Sequence, residues 1–147
     1  MRLLLEFLLI VCLGQAMAQR AFILSSSVGF YNYRQNANAL QVYQTLRQWG
    51  FEDSHITLAF PENIGCCEKN PIQGSVSFRD NDYTNINRHL SVDMKYNAMN
   101  AQSVLNLIGL KYPRHTLNLH RLKLDNSPYL IYLTGHGGDF YFKIRER

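Results

Sequence analysis

Cysteine is scarce in this chain of 147 residues: there are three, Cys12 inside an apolar N-terminal run and the adjacent pair Cys66-Cys67. That excludes the disulfide framework that staples many small secreted domains. Neighbouring cysteines rarely bond each other, because the small ring strains normal disulfide geometry. Two cysteines also fall short of the roughly four ligands of a structural zinc site. The net charge is +4, yet the basic residues are scattered and form no run, so nucleic acid is not an expected partner. No Asn-x-Ser/Thr acceptor occurs, and no N-linked glycan is expected. Past the N-terminus no apolar stretch is long enough to span a bilayer. There are no internal repeats, and no serine stands in a nucleophile motif. What remains is 46% hydrophobic and 18% charged, a balance that suits one folded domain rather than a disordered tail.

The N-terminus reads as a secretory leader. Met1-Arg2 is a short basic start, Leu3 to Leu13 is apolar except for Glu6, and Ala16-Met17-Ala18 has the small-x-small cleavage pattern. Residues 1–18 are therefore expected to be a signal peptide and residues 19–147 the domain; an uncleaved anchor or a first core strand is the other reading. Losing Arg2 and Glu6 leaves the charge at +4 and leaves Cys66 and Cys67 as the thiols. In an oxidising compartment one or both can seek a partner on another chain; otherwise they are two reduced thiols in a loop.

The apolar run Ala21-Phe22-Ile23-Leu24 followed by Ser25-Ser26-Ser27 predicts a buried strand ending in a polar loop through Gly29 to Asn32. Ala39, Val42, Tyr43, Leu46 and Trp49 then fall at helical spacing, with Gly50 as the stop. Ile56 to Phe60 predicts a second buried strand ended by Pro61. Strand, helix, strand at this length predicts a βαβ unit with parallel pairing. Asn63 to Asn97 is a polar excursion with room for a small hairpin. A second helix is predicted from Asn100, its N-cap, to about Leu110, with Ala101, Val104, Leu105 and Ile108 as its apolar face. Leu117, Leu119, Leu122 and Leu124 alternate nearly enough to permit an edge strand. After the turn Asp125-Asn126-Ser127-Pro128, Tyr129 to Leu133 predicts a third buried strand running into Thr134-Gly135-His136-Gly137-Gly138.

Open α/β sheets gather reactive groups at the carboxyl ends of their strands. Three such ends exist, leading to residues 25–32, 61–67 and 134–138. The third carries a histidine between glycines. Imidazole suits proton transfer near neutral pH, and glycines let a substrate approach while leaving backbone N–H groups to face a developing negative charge. His136 can thus be a general base beside an oxyanion hole. It can also be an exposed turn residue, or a metal ligand, although no second His or Cys stands at ligand spacing. His55, His89, His115 and His120 read as structural or exposed. A histidine base needs a nucleophile, and neither Cys66 nor Cys67, in a loop after a different strand, makes a convincing one. The residues alone give half of a dyad.

The segment Tyr129-Leu130-Ile131-Tyr132-Leu133-Thr134-Gly135-His136-Gly137-Gly138 resembles the histidine segment of the GPI-anchor transamidase catalytic subunits, a family in the legumain-like clan of cysteine peptidases. Phe30-Tyr31-Asn32-Tyr33-Arg34-Gln35-Asn36-Ala37-Asn38 is similar to that family's Phe-Asn-Tyr-Arg-His-x-Ala-Asn stretch, with Gln35 in place of the histidine, and Asp53-Ser54-His55-Ile56, Asn70-Pro71 and Phe142-Lys143 fit as well. Legumains typically carry Thr-Asp-His-Gly, so Gly135 and Gly138 favour the transamidases over a legumain-like endopeptidase. The resemblance implies an α/β, caspase-like three-layer fold with a mostly parallel sheet, and places Leu117–Leu124 in a surface loop.

It also implies a reaction: a cysteine thiolate cleaves the C-terminal signal of a proprotein, and the ethanolamine amine of a GPI lipid takes the acyl group. His136 matches the catalytic histidine, Gly137 the oxyanion position, and Asn32 an asparagine beside the catalytic pair. Asp53, the Ile56 carbonyl and Asp93 match positions that bind a calcium-like ion through oxygen, with Ser91 where the family has an acidic residue; apart from the resemblance, Asp53 reads as a turn residue. Cys66 matches a cysteine bonded to a partner subunit, and Cys67 is an addition that could compete for it. Lumenal residence in the endoplasmic reticulum, within a membrane complex of other transamidase subunits, follows from the resemblance. The family's nucleophilic cysteine lies on the next strand, beyond Arg147. The expectation for the chain as given is an incomplete sheet with an exposed edge and no catalysis alone, which leaves a non-catalytic, partner-binding homologue as a third reading.

Overall fold

The computed structural model describes residues 20–77, 85, 90–108 and 129–144. The expected leader at 1–18 and the Leu117–Leu124 segment lie outside the described residues. The elements are β1 (Arg20–Ser25), α1 (Tyr33–Gln48), β2 (Ile56–Ala59), α2 (Ala101–Ile108), β3 (Tyr129–Thr134), β4 (Gly137–Gly138) and β5 (Tyr141–Phe142). Short 3-10 turns occur at Phe30–Asn32, Asp53–His55, Ile64–Cys66 and Tyr96–Ala98.

The sheet order is β2-β1-β3, and both pairings are parallel. Because side chains alternate across a strand, β1 feeds two cores. Ala21 and Ile23 pack with Ala37, Ala39, Leu40, Tyr43 and Leu46 of α1 on one face. Phe22 and Leu24 pack with Val104 and Leu107 of α2 on the other. The result is the three-layer α/β arrangement that the family resemblance implies. Residues on β1 are buried on both faces, which is why that strand reads as a continuous apolar run.

α1 stops where the sequence says it should. Phe51 N–H donates to the Leu46 carbonyl at 3.0 Å and Gly50 N–H to that of Arg47 at 3.1 Å, with Gly50 left-handed at φ 91°. This is a Schellman closure. A Cβ at Gly50 would meet nothing within 4 Å, so Gly50→Ala carries only the conformational penalty. Chemical denaturation should show a loss of about 1 kcal/mol. α2 is capped as predicted: Asn100 Oδ1 accepts from Ser103 N–H at 2.9 Å, and Asn100 N–H donates back to Ser103 Oγ at 3.2 Å.

Two expectations need correcting. Trp49 falls at helical spacing but is 65% exposed, because it sits at the C-cap, where the chain turns off the α1 axis. The buried face of α1 also includes Leu40 and the polar Gln35 and Asn36. β3 is not fully buried: Ile131 and Leu133 are 48% and 42% exposed, since the strand pairs with β1 alone among the described strands. In the excursion, the described residues form 3-10 turns and an isolated parallel bridge, Ala59 to Met94, while residues 78–84 and 86–89, where a hairpin has room, lie outside the described residues. Asn70 organises its first part. Its amide nitrogen donates to the carbonyls of Gly65 and Ser75 at 3.1 and 2.7 Å, and its Oδ1 accepts from Ile72 N–H at 3.3 Å.

Candidate active site

β1 and β3 are adjacent and in register, Ser25 beside Thr134. Their two loops therefore leave the sheet side by side, and Ser26 N–H extends the ladder by donating to the Thr134 carbonyl at 2.9 Å. This topology brings together two residues 104 positions apart: His136 Nε2 and Asn32 Oδ1 are 2.8 Å from each other.

The network fixes which way each group points. Asn32 Nδ2 donates to the Val28 carbonyl at 2.8 Å. A carbonyl can only accept, so the nitrogen end of the amide must face Val28 and the oxygen end must face His136. Asn32 Oδ1 can in turn only accept, so the proton of the neutral imidazole sits on Nε2. Nδ1 is left with its lone pair. Asn32 also closes its own 3-10 turn, donating its backbone N–H to the Gly29 carbonyl at 2.9 Å. Gly29 has φ 87° and ψ 150°, a region effectively confined to glycine.

On the other side, β4 and β5 form a two-residue hairpin directly after His136, with Gly137 paired to Phe142 and Gly138 to Tyr141. Lys143 N–H donates to the His136 carbonyl at 2.9 Å, so the hairpin also holds the histidine backbone. The space around these glycines is tight, against backbone at Gly137 and against the exposed Tyr141 ring at Gly138. A Cβ on Gly137 would lie 2.6 Å from the Tyr141 carbonyl oxygen, and one on Gly138 would lie 2.7 Å from the Tyr141 ring. At Gly135 a Cβ would come within 1.8 Å of Ser26 Oγ.

The other residues singled out by sequence fall elsewhere. Cys66 is exposed and Cys67 half-buried, both with free thiols. They follow β2, and β1 stands between that strand and β3. Among the described residues no serine or cysteine side chain hydrogen-bonds to the imidazole. From the loop that follows, Lys69 Nζ stands 4.6 Å over the ring of Tyr31, the residue before Asn32.

Asp53 and Asp93 both lie around Tyr43. The phenol donates to Asp53 Oδ1 at 2.6 Å, and its pKa is pushed up, first by burial, then by that hydrogen bond and by the charges of Asp53 and Asp93. Asp93 Oδ2 accepts from Leu58 N–H at 2.9 Å. Residues two apart in a strand present their peptide groups to the same edge, so the Ile56 carbonyl shares the edge of β2 on which Asp93 sits. These are hard oxygen donors of the kind calcium takes. Among the described residues, however, no group of three His, Cys, Asp or Glu side chains assembles, and Ser91 supplies no carboxylate there.

Two residues of this neighbourhood escape sequence reading. Ser26 is fully buried with its hydroxyl unpartnered. Glu62, in the loop after β2, accepts a hydrogen bond from Gly29 N–H. It also lines a cleft of about 520 Å³ with Phe60, Pro61 and Lys95, which includes neither His136 nor Asn32. The one sequence signal nearby is Gly29 in the loop after β1.

Comparison with known proteins adds the following. The Peptidase C13 family matches residues 20–146. The chain is 31% identical to the GPI-anchor transamidase of Homo sapiens over 128 residues, covering 86% of this chain and 32% of that protein. Against the GPI-anchor transamidase of Saccharomyces cerevisiae it is 34% identical over 130 residues, covering 86% and 31%. That of Schizosaccharomyces pombe is 30% identical over 128 residues, covering 86% and 34%. The chain thus spans about a third of the length of these curated relatives.

Proposed function

This chain belongs to the Peptidase C13 family, and from that we propose that it is the histidine-bearing part of a GPI-anchor transamidase catalytic subunit. The observation that carries the reading is the Val28–Asn32–His136 chain of hydrogen bonds, which leaves Nδ1 of a neutral imidazole free to take a proton.

The reaction runs as follows. His136 Nδ1 removes the proton of a cysteine thiol supplied by the complete protein, and the thiolate adds to the carbonyl carbon at the attachment residue of a proprotein. The Gly137 N–H faces the oxyanion. The C–N bond breaks, and the imidazolium gives its proton to the departing amine of the C-terminal signal peptide, leaving a thioester. The ethanolamine amine of a GPI lipid then attacks the thioester. Its proton passes to His136 and from there to the departing sulfur, so the thiol is restored and a new amide is formed. Asn32 does not touch the reacting atoms; it holds the ring and its tautomer, the role of the third member in a catalytic triad.

Three further parts of the reading rest on single features. Cys66, exposed on the loop after β2, forms a disulfide with another subunit of a transamidase complex. Asp53, the Ile56 carbonyl and Asp93 hold a calcium-like ion that ties the excursion to the edge of β2 and takes no part in the chemistry. The leader at residues 1–18 sends the chain to the endoplasmic reticulum lumen; among the described residues no helix is long and apolar enough to cross a membrane.

The test is complementation. The complete protein, expressed in cells lacking their own transamidase catalytic subunit, should restore anchor attachment to a reporter proprotein. Mass analysis of the new C-terminus should find ethanolamine in amide linkage. A free carboxylate there would instead make the protein a legumain-like endopeptidase, and uncleaved reporter would remove the reading.

A further inference from the structure

The Val28–Gly29 peptide group is held at both ends. Its carbonyl accepts from Asn32 Nδ2 at 2.8 Å, and its N–H donates to the carboxylate of Glu62. A peptide group is planar and turns as one body, so Glu62 and Asn32 grip opposite ends of one rigid unit. Glycine at this position makes the grip consequential. Gly29 lies at φ 87° and ψ 150°, and glycine takes φ of either sign about equally well, so its own backbone preference does not stop the preceding peptide from turning over.

We infer that Glu62 is a positioning residue that sets the tautomer of His136 through the Val28–Gly29 peptide and Asn32. With the N–H tied to Glu62, the Val28 carbonyl faces Asn32, takes its amide nitrogen, and obliges Oδ1 to face the imidazole. An ionised acceptor on the N–H also polarises the peptide and strengthens its carbonyl as an acceptor. Without Glu62 the peptide is free to turn, the Val28 carbonyl leaves Asn32, and the amide can rotate to present Nδ2 to the ring. His136 Nε2 then becomes the acceptor and the proton moves to Nδ1, the atom that must be bare. The structural statement concerns this chain by itself; its catalytic meaning rests on the proposed role of His136.

The test uses two nearly isosteric replacements on the whole chain. Glu62→Gln keeps an oxygen that can accept from Gly29. Glu62→Met keeps the length and lies against the apolar wall formed by Phe60 and Pro61, but accepts nothing. Ring ¹⁵N shifts of the neutral imidazole, assigned by comparison with His136→Gln, read the tautomer directly. The parent chain and Glu62→Gln should both show the Nε2–H form. Glu62→Met should show an added Nδ1–H population, as should Asn32→Ala. In the complete protein, Glu62→Met should then lower the rate of anchor attachment by about 10- to 100-fold, the scale of a misplaced catalytic group. An unchanged Nε2–H tautomer in Glu62→Met overturns the inference, as does an equal shift in the Gln and Met variants. If both variants lose the fold by circular dichroism, Glu62 is a stability residue and the inference also falls. None of the tautomer results depends on what the complete protein does to a substrate, so failure of the transamidase reading is told apart from failure of this one.

Discussion

His136→Ala in the complete protein should abolish anchor attachment and leave uncleaved precursor. Losing the proton carrier removes general acid–base help worth about 10²–10⁴-fold. In the proposed reaction the same ring also ionises the thiol, and an un-ionised thiol is a poor nucleophile. Both steps fail together, and the residual rate falls below what a reporter assay resolves. The substitution should leave the fold intact. His136 is half-buried, and its backbone is held by Lys143 N–H through the carbonyl, which alanine keeps. Chemical denaturation should therefore place the variant within about 1 kcal/mol of the parent. Asn32→Ala should fall between the two: the ring remains, but its tautomer is no longer imposed, so precursor accumulates while some product forms. Anchored product at parental levels in His136→Ala would remove the imidazole from the mechanism and leave the Asn32 contact as a structural hydrogen bond.

The parts of this molecule that a reader of the sequence can see are those set by local periodicity and by caps. β1 and β2 announce themselves because both faces of each strand are buried, giving unbroken apolar runs. α1 is bounded at Gly50 by a conformation that favours glycine, and α2 by the reciprocal bonds of Asn100 and Ser103. What stays hidden is set by tertiary contact. Gln35 and Asn36 are polar yet buried; Asn36 takes the hydroxyl of Ser25 across the α1–β1 interface. The β4–β5 hairpin has strands of two residues, too short for any alternation to register. The same division runs through the site. His136 and Asn32 are legible as chemistry-bearing residues in motifs. Their 2.8 Å contact depends on β1 and β3 being neighbours, which no local signal states. Glu62 and Ser26 act on backbone and on empty space, and neither action has a residue pattern to betray it.

Gly135→Ala should destabilise the chain by about 3 kcal/mol, at the upper end of what overpacking costs, and a second substitution should return most of it. The added Cβ would stand 1.8 Å from Ser26 Oγ and 2.8 Å from Phe142 Cζ. Phe142 lies on the rim, about a third exposed at 36%, and its ring can swing aside. Ser26 is fully buried with its backbone tied to Thr134, so the strain falls on that contact. Ser26→Ala alone should be neutral or slightly stabilising, because it removes a buried hydroxyl that has no partner. The double variant Ser26→Ala/Gly135→Ala should then lie well above the sum of its parts in a denaturation cycle, the mark of two groups competing for one space. Anchor attachment should follow the same pattern, since Gly135 is the single residue between β3 and His136. Any shift forced on it is passed to the imidazole and to its 2.8 Å contact with Asn32. If the double variant is no better than Gly135→Ala, the obstruction lies in the backbone of the loop rather than in the serine. The coupling also gives physical content to the residue that separates this motif from the Thr-Asp-His-Gly of legumains. With Ser26 Oγ in the space a Cβ would need, any larger residue at position 135 requires Ser26, just after β1, to shift or change with it.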